Sequence, residues 1–173
     1  MRGVHNLIML KLSATLETAL KERNLRIEPA TIEDLPALTN LVSDLFDTQS
    51  DFLVNETRHA RGIELILEQP SRGRIFVIRN DMEVLGMVNL LFTISTARGG
   101  LVILLEDLVV HPTYRRAGLG GLLLEFAETF AKEKGFKRIT LLTERVGQGT
   151  EEFFEKNGYT LSGLVPMRKI LSE

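Results

Sequence analysis

Cysteine is absent from all 173 residues. Thiol catalysis, disulfide bonds and thiolate metal sites are thereby excluded together. Histidine is scarce. Only His5, His59 and His111 occur, without HExxH-type spacing, so no metal centre is expected. Neither sign of charge dominates: 21 lysines and arginines stand against 23 acids, a net charge of −2, which argues against a nucleic-acid partner. No run of about 18 apolar residues exists, so no membrane span is expected. The opening "MRGVHNLIMLKLSATLETAL" lacks a small-residue cleavage site, and Lys11 breaks its apolar run. It reads as a helix with Ile8, Leu12, Leu16 and Leu20 on one face, packed on the domain or on the partner subunit of a homodimer.

What is present suits one domain with an appendage: 44% apolar and 25% charged residues are enough for a real core. The expected division is a helical extension over residues 1–24 and one domain over 25–173. "LRIEPA" reads as a first strand. Thr31 and Asp34 form a capping box before a helix whose apolar positions are Leu35, Leu38, Leu41, Val42 and Leu45. A further helix is expected over Glu56 to Glu68. "RIFVIRN" and "EVLGMVNLLFTIS" read as strands joined by a tight turn at Asn80 and Asp81. "LVILLEDLVV" is a long apolar strand with two acids inside it. A helix then runs to Lys134 and stops at Gly135. "FKRITLLTE" is a strand, "EEFFEKN" a short helix stopped by Gly158, and "YTLSG" and "PMRKIL" two final strands. The order describes an α/β domain with a mixed sheet.

"YRRAGLGGLLLEF", Tyr114 to Phe126, places two arginines and three glycines directly before a helix. A helix N-terminus has unpaired N–H groups and a partial positive charge, so it receives phosphate well. Glycines let backbone approach the anion, and Arg115 and Arg116 add formal charge. Two familiar nucleotide loops fail. The ATP loop needs Gly-Lys-Ser/Thr, but Leu122 follows Gly121. The dinucleotide fingerprint needs a third glycine where Leu123 stands, and an early strand where this is the fourth.

"RRAGLG" resembles the Arg/Gln-x-x-Gly-x-Gly/Ala signature of the GNAT superfamily of N-acetyltransferases. "LEDLVVHPTYRRAGLG" is similar to that family's fourth strand and turn. "FFEKNGY" is similar to its late helix motif, and "LRIEPATIEDLPAL" to its opening strand and helix. The resemblance spans about Leu25 to Leu171. It implies a mixed, largely antiparallel sheet flanked by helices, here with an extra N-terminal helix, in a cytoplasmic enzyme that needs no metal. It further implies acetyl-CoA as co-substrate, its pyrophosphate on Arg115, Arg116, Ala117, Gly118, Leu119, Gly120 and Gly121. The pantetheine arm is expected to pair with Leu108, Val109 and Val110, with a backbone N–H near Val109 meeting the oxyanion. Phe154 would lie near the coenzyme sulfur. Phenylalanine stands there where the family often has the tyrosine that protonates the leaving thiolate.

Acetyl transfer to an amine also needs a base. Glu106 and Asp107 interrupt a strand of leucine, isoleucine and valine, where a carboxylate is costly unless paired or useful. Burial would raise such a carboxyl toward a base's working range. By resemblance to polyamine-type members with a similar Leu-Glu-Asp run, Glu106 is the candidate base; the other reading pairs it with a neighbouring arginine. Asp107 is expected to tie down backbone at a bulge. Between Arg26 and Arg58 there is no lysine or arginine, yet Glu33, Asp34, Asp44, Asp47, Asp51 and Glu56 all fall there. In this family that region walls the acceptor pocket, and a negative wall attracts a cationic amine. Two functions follow: an N-acetyltransferase acting by direct attack on a primary amine of a small molecule or a peptide or protein, or a catalytically silent acyl-CoA-binding module.

Overall fold

In a computed structural model, residues 10–47, 54–143 and 148–171 are described. They form two compact units, divided between Leu142 and Thr143. The first holds a five-stranded sheet in the order β1-β2-β3-β4-β5. Its strands are β1 (Arg26–Pro29), β2 (Gly73–Arg79), β3 (Val84–Ser95), β4 (Gly100–Val110) and β5 (Ile139–Leu141). The first four pair antiparallel, and β5 joins β4 in parallel. The expected mixed, largely antiparallel sheet is therefore the one observed.

Helices cover both faces. α2 (Leu35–Phe46) and α3 (Glu56–Glu68) lie over one face, where Leu38, Leu41, Val42 and Ile63 close a core against Ile75, Val77, Met87 and Val109. α4 (Leu119–Glu133) lies over the other, where Phe126 and Phe130 pack edge-on against Phe76. Strict alternation along the strands sends Val77 and Met87 to one helical layer and Phe76 and Val88 to the other. The helix entry was legible: the Asp34 carboxylate accepts from the Thr31 backbone N–H at 2.9 Å, and a 3₁₀ turn (Ile32–Asp34) leads into α2. Asp34 also pairs with Arg79 on β2, which fixes that entry to the sheet.

Several boundaries differ from expectation. The N-terminal helix α1 is Ala14–Glu22, shorter than expected because the Ser13 hydroxyl caps it by accepting from Leu16 N–H at 3.1 Å. Leu16 and Leu20 are buried as expected; Leu12 precedes the helix, and Ile8 lies outside the described residues. α1 is tied to α4 by the Ser13 hydroxyl, which donates to Glu125 Oε1 at 2.5 Å. The β2–β3 connection is a four-residue loop rather than a two-residue turn, because Asn80 Oδ1 accepts from the N–H groups of both Met82 and Glu83.

The second unit carries α5 (Gln148–Lys156), whose Phe154 ring meets Tyr159 edge-on at 5.7 Å. The two strands expected in "YTLSG" and "PMRKIL" are a correction: residues 159–171 contain no strand. Gly163 and Pro166 interrupt both runs, and alternation alone makes no strand without a neighbouring backbone to bond.

One close approach bears on the site. A Cβ on Gly86 of β3 would stand 2.7 Å from the Val109 carbonyl oxygen of β4. Gly86→Ala is expected to force the two strands apart and to destabilise the protein by about 1–3 kcal/mol in denaturant melts.

Candidate active site: the open end of the fourth strand

The register of β3 on β4 slips by one residue at a single place. Asn89 faces Asp107 and Leu90 faces Leu105, so Glu106 is the inserted residue of a β-bulge. The pairing of β4 with β5 stops at the same place, its last pair being Leu105 with Leu141. Beyond it, Leu108, Val109 and Val110 belong to a strand with β3 on one side and, among the described residues, no paired strand on the other.

Hydrogen-bond alternation decides which backbone groups face that open side. His111 N–H donates to Leu85 O at 2.9 Å, so pairs two residues apart, such as Val109 with Met87, also bond toward β3. The groups of Leu108 and Val110 point the other way. The Val110 carbonyl shows this directly: it accepts from Arg115 Nε at 3.1 Å. The N–H near Val109 that faces outward is thus that of Leu108 or Val110, while Val109 itself is buried and bonded inward.

The glycine stretch follows a short turn (Pro112–Tyr114), anchored by the Tyr114 hydroxyl, which donates to Glu83 Oε1 at 2.5 Å. Arg116 and Gly118 both take positive φ, +61° and +81°. Gly118 is the N-cap of α4 and has no side chain to cap it, so the first-turn N–H groups of Leu119, Gly120 and Gly121 form an uncapped helix start. A Cβ on Gly121 would meet nothing within 4 Å. Arg115, Arg116 and Ala117 are exposed beside it. The residues fit an anion there. A third arginine joins them from outside the expected set: Arg23, at the end of α1, has its guanidinium 4.0 Å from where a Gly118 Cβ would be. Nothing in the spacing of the sequence signals that, because 95 residues separate the two.

On the α2–α3 face lies a second polar group. Asn89 Nδ2 donates to Asp107 Oδ2 at 2.9 Å. On the helices above, the Ser43 hydroxyl and His59 Nδ1 are 3.1 Å apart, and the His59 ring lies 5.0 Å from Phe46. Burial pushes the Asp107 carboxyl above its ordinary value, against the opposing pull of the Asn89 hydrogen bond and the nearby His59. Here the structure corrects the expectation for the two acids. Glu106, at the bulge, is exposed, and the burial expected to tune it acts on Asp107 instead. Asp107 also bonds a side chain rather than backbone. Asn89, Ser43 and His59 were not singled out from the sequence, since a lone polar residue in a strand or helix shows no partner until the elements pack.

One acid of the wall is used internally: Asp34 pairs with Arg79. Beside it Arg26 pairs with Asp81 of the β2–β3 loop at 2.8 Å. These line a cavity of about 470 Å³ that runs along α2 from Asp34 to Asp44, with Glu33 and His111. Asp51 lies outside the described residues. Phe154 belongs to the second unit. Among the described residues no group of three metal-binding side chains occurs, and no helix is long and apolar enough to cross a membrane.

A carboxyl whose value is raised on folding binds its proton more tightly in the native state, so its ionisation weakens the fold as pH rises through that range. Asp107→Asn is therefore expected to melt at a higher temperature than the parent at neutral pH. The difference should vanish in acid, below the ordinary aspartate value of about 4, in paired thermal melts.

The family model described as "Acetyltransferase (GNAT) family" matches residues 36–159. The uncharacterized N-acetyltransferase YhfO of Bacillus subtilis (strain 168) is 29% identical over 121 residues, 68% of this chain and 80% of that protein. An amino-acid acetyltransferase of Pseudomonas putida is 30% identical over 138 residues, 80% of this chain but 28% of that protein, so the chain spans under a third of that relative. An integron cassette protein from the mobile metagenome of Cole Harbour Salt Marsh shares the fold, with a TM-score of 0.73 at 24% identity over 85% of this chain and 91% of that one. With a family match over most of its length, on a sheet and a glycine loop arranged as above, this chain belongs to the acetyltransferase (GNAT) family, whose members use acetyl-CoA as co-substrate.

Proposed function

We propose that the chain transfers an acetyl group from acetyl-CoA directly to a primary amine of a small molecule or of a peptide or protein. The observation that carries this reading is the uncapped start of α4, with Arg23, Arg115 and Arg116 around it, placed at the end of a strand whose outer edge is open. A pyrophosphate on Arg115, Arg116, Ala117, Gly118, Leu119, Gly120 and Gly121 lets a strand-like pantetheine arm run along the outward groups of Leu108 and Val110. The thioester then reaches the bulge at Glu106. One outward N–H there polarises the carbonyl, and Glu106, exposed to solvent, takes the amine's proton directly or through water. The amine nitrogen bonds to the acetyl carbon, the carbon–sulfur bond breaks, and the thiolate leaves. A thiol of pKa about 8.5 is a tolerable leaving group without a phenol at Phe154.

The amino-acid acetyltransferase among the relatives supports a small amine as acceptor. In the second unit Leu164 and Met167 are 86% and 96% exposed; apolar surface of that kind supports a homodimer as the working form. Phe154 favours a second reading, an acyl-CoA-binding module without turnover. Acetyl-CoA consumption measured over a panel of primary amines separates the two, and turnover of none of them selects the silent module.

Two variants test the parts. An aspartate in the first turn of a helix is good for the helix, so Gly120→Asp should fold normally while its carboxylate repels the phosphate. Calorimetry is expected to show loss of CoA binding, and unchanged affinity in the folded variant would end the phosphate-cradle reading. Glu106→Gln is expected to lower kcat/KM by about 10²–10⁴-fold with CoA affinity kept, the loss shrinking at high pH where the amine is already neutral. Parental turnover at neutral pH would remove Glu106 from the mechanism.

A further inference from the structure

The Asn89–Asp107 pair is unexplained by the coenzyme half of the site. Both residues point to the α2–α3 face, where the next residues along the same two strands, Met87 and Val109, are 0% and 2% exposed. An apolar pair would pack there without cost, whereas a half-buried carboxylate beside a buried amide is destabilising unless something uses it.

The amide is committed entirely to the carboxylate. Asn89 is 3% exposed, its Nδ2 donates to Asp107 Oδ2, and its sealed Oδ1 has no hydrogen-bond partner among the described residues. An unpaired buried acceptor is destabilising, so the side chain is held against its own hydrogen-bonding interest while its amide orients one oxygen of Asp107. Among the described residues no lysine or arginine closes an ion pair on Asp107. Asp107 as a residue is not fully sealed, and His59, in hydrogen-bond contact with Ser43, acts on its carboxyl from the helices above. In sequence it adjoins the bulge residue Glu106, where the thioester is placed by the reading above.

We propose that Asp107, oriented by Asn89 and flanked by Ser43 and His59, is the seat for the acceptor's cationic amino group. The acceptor class is thereby a protonated alkylamine rather than a neutral arylamine. Asp107 accepts an N–H from the ammonium through the oxygen that Asn89 leaves open; Asn89 is a positioning residue. This inference rests on the acetyltransferase reading.

The test compares parent, Asp107→Asn, Asn89→Leu and His59→Gln in steady-state acetylation of a protonated alkyl diamine and of an arylamine uncharged at neutral pH, with CoA affinity measured in parallel by calorimetry. Asp107→Asn is expected to raise KM for the diamine about 10–100-fold with a much smaller change in kcat, and to leave the arylamine KM and CoA affinity alone. Asn89→Leu and His59→Gln should shift the diamine KM in the same direction by less. An unchanged diamine KM in Asp107→Asn, or equal losses for both amines, overturns the proposal while leaving the acetyltransferase reading intact. If the parent turns over no amine, the acetyltransferase reading fails instead. Calorimetric titration of the diamine into parent and Asp107→Asn then decides the seat: binding weakened by the substitution supports it, and equal or absent binding overturns it.

Discussion

The arrangement of this site depends on one extra residue in one strand. Up to Leu105, β4 is a central strand, with β3 on one side and β5 on the other. Glu106 is the extra residue between the pairs Asn89–Asp107 and Leu90–Leu105, and past it the described pairing of β4 is with β3. A bulge bends its strand and shifts the alternation of side chains and hydrogen bonds by one. Without it, Asp107 would turn toward the α4 layer and the outward backbone groups would be different ones. The slip therefore creates an open strand edge, places one acid at the opening and aims the next at the opposite helical layer.

Two other features are useful only because of that opening. The uncapped start of α4 leaves N–H groups that most helices satisfy with a Ser, Thr, Asp or Asn side chain. At the end of an open strand they become a place for an anion. Gly86, lacking a side chain, permits the close approach of β3 to Val109 past the last described β4–β5 pair. The α1 helix, outside the family match at residues 36–159, brings Arg23 to the same loop through its packing on α4.

Much of this was legible in the order of residues. Capping at Thr31 and Asp34, the helical spacing of Leu35 to Leu45, the span of α3 and the stop at Gly135 are local, and the structure shows them where the pattern put them. The tail misled for the complementary reason. "YTLSG" alternates as a strand should, but a strand is a pairing between segments, and Gly163 and Pro166 weaken any pairing on offer.

The sequence by itself determined most element types before the tail and the presence of a glycine loop suited to phosphate, because these follow from spacings within a few residues. Only the tertiary structure decided which carboxylate is exposed and which is held. Glu106 and Asp107 are adjacent and chemically alike, and their environments are set by a register slip against β3 and by side chains on α2 and α3. It likewise decided that Arg23 stands by Gly118. Register and packing are relations between distant segments, so no local pattern carries them.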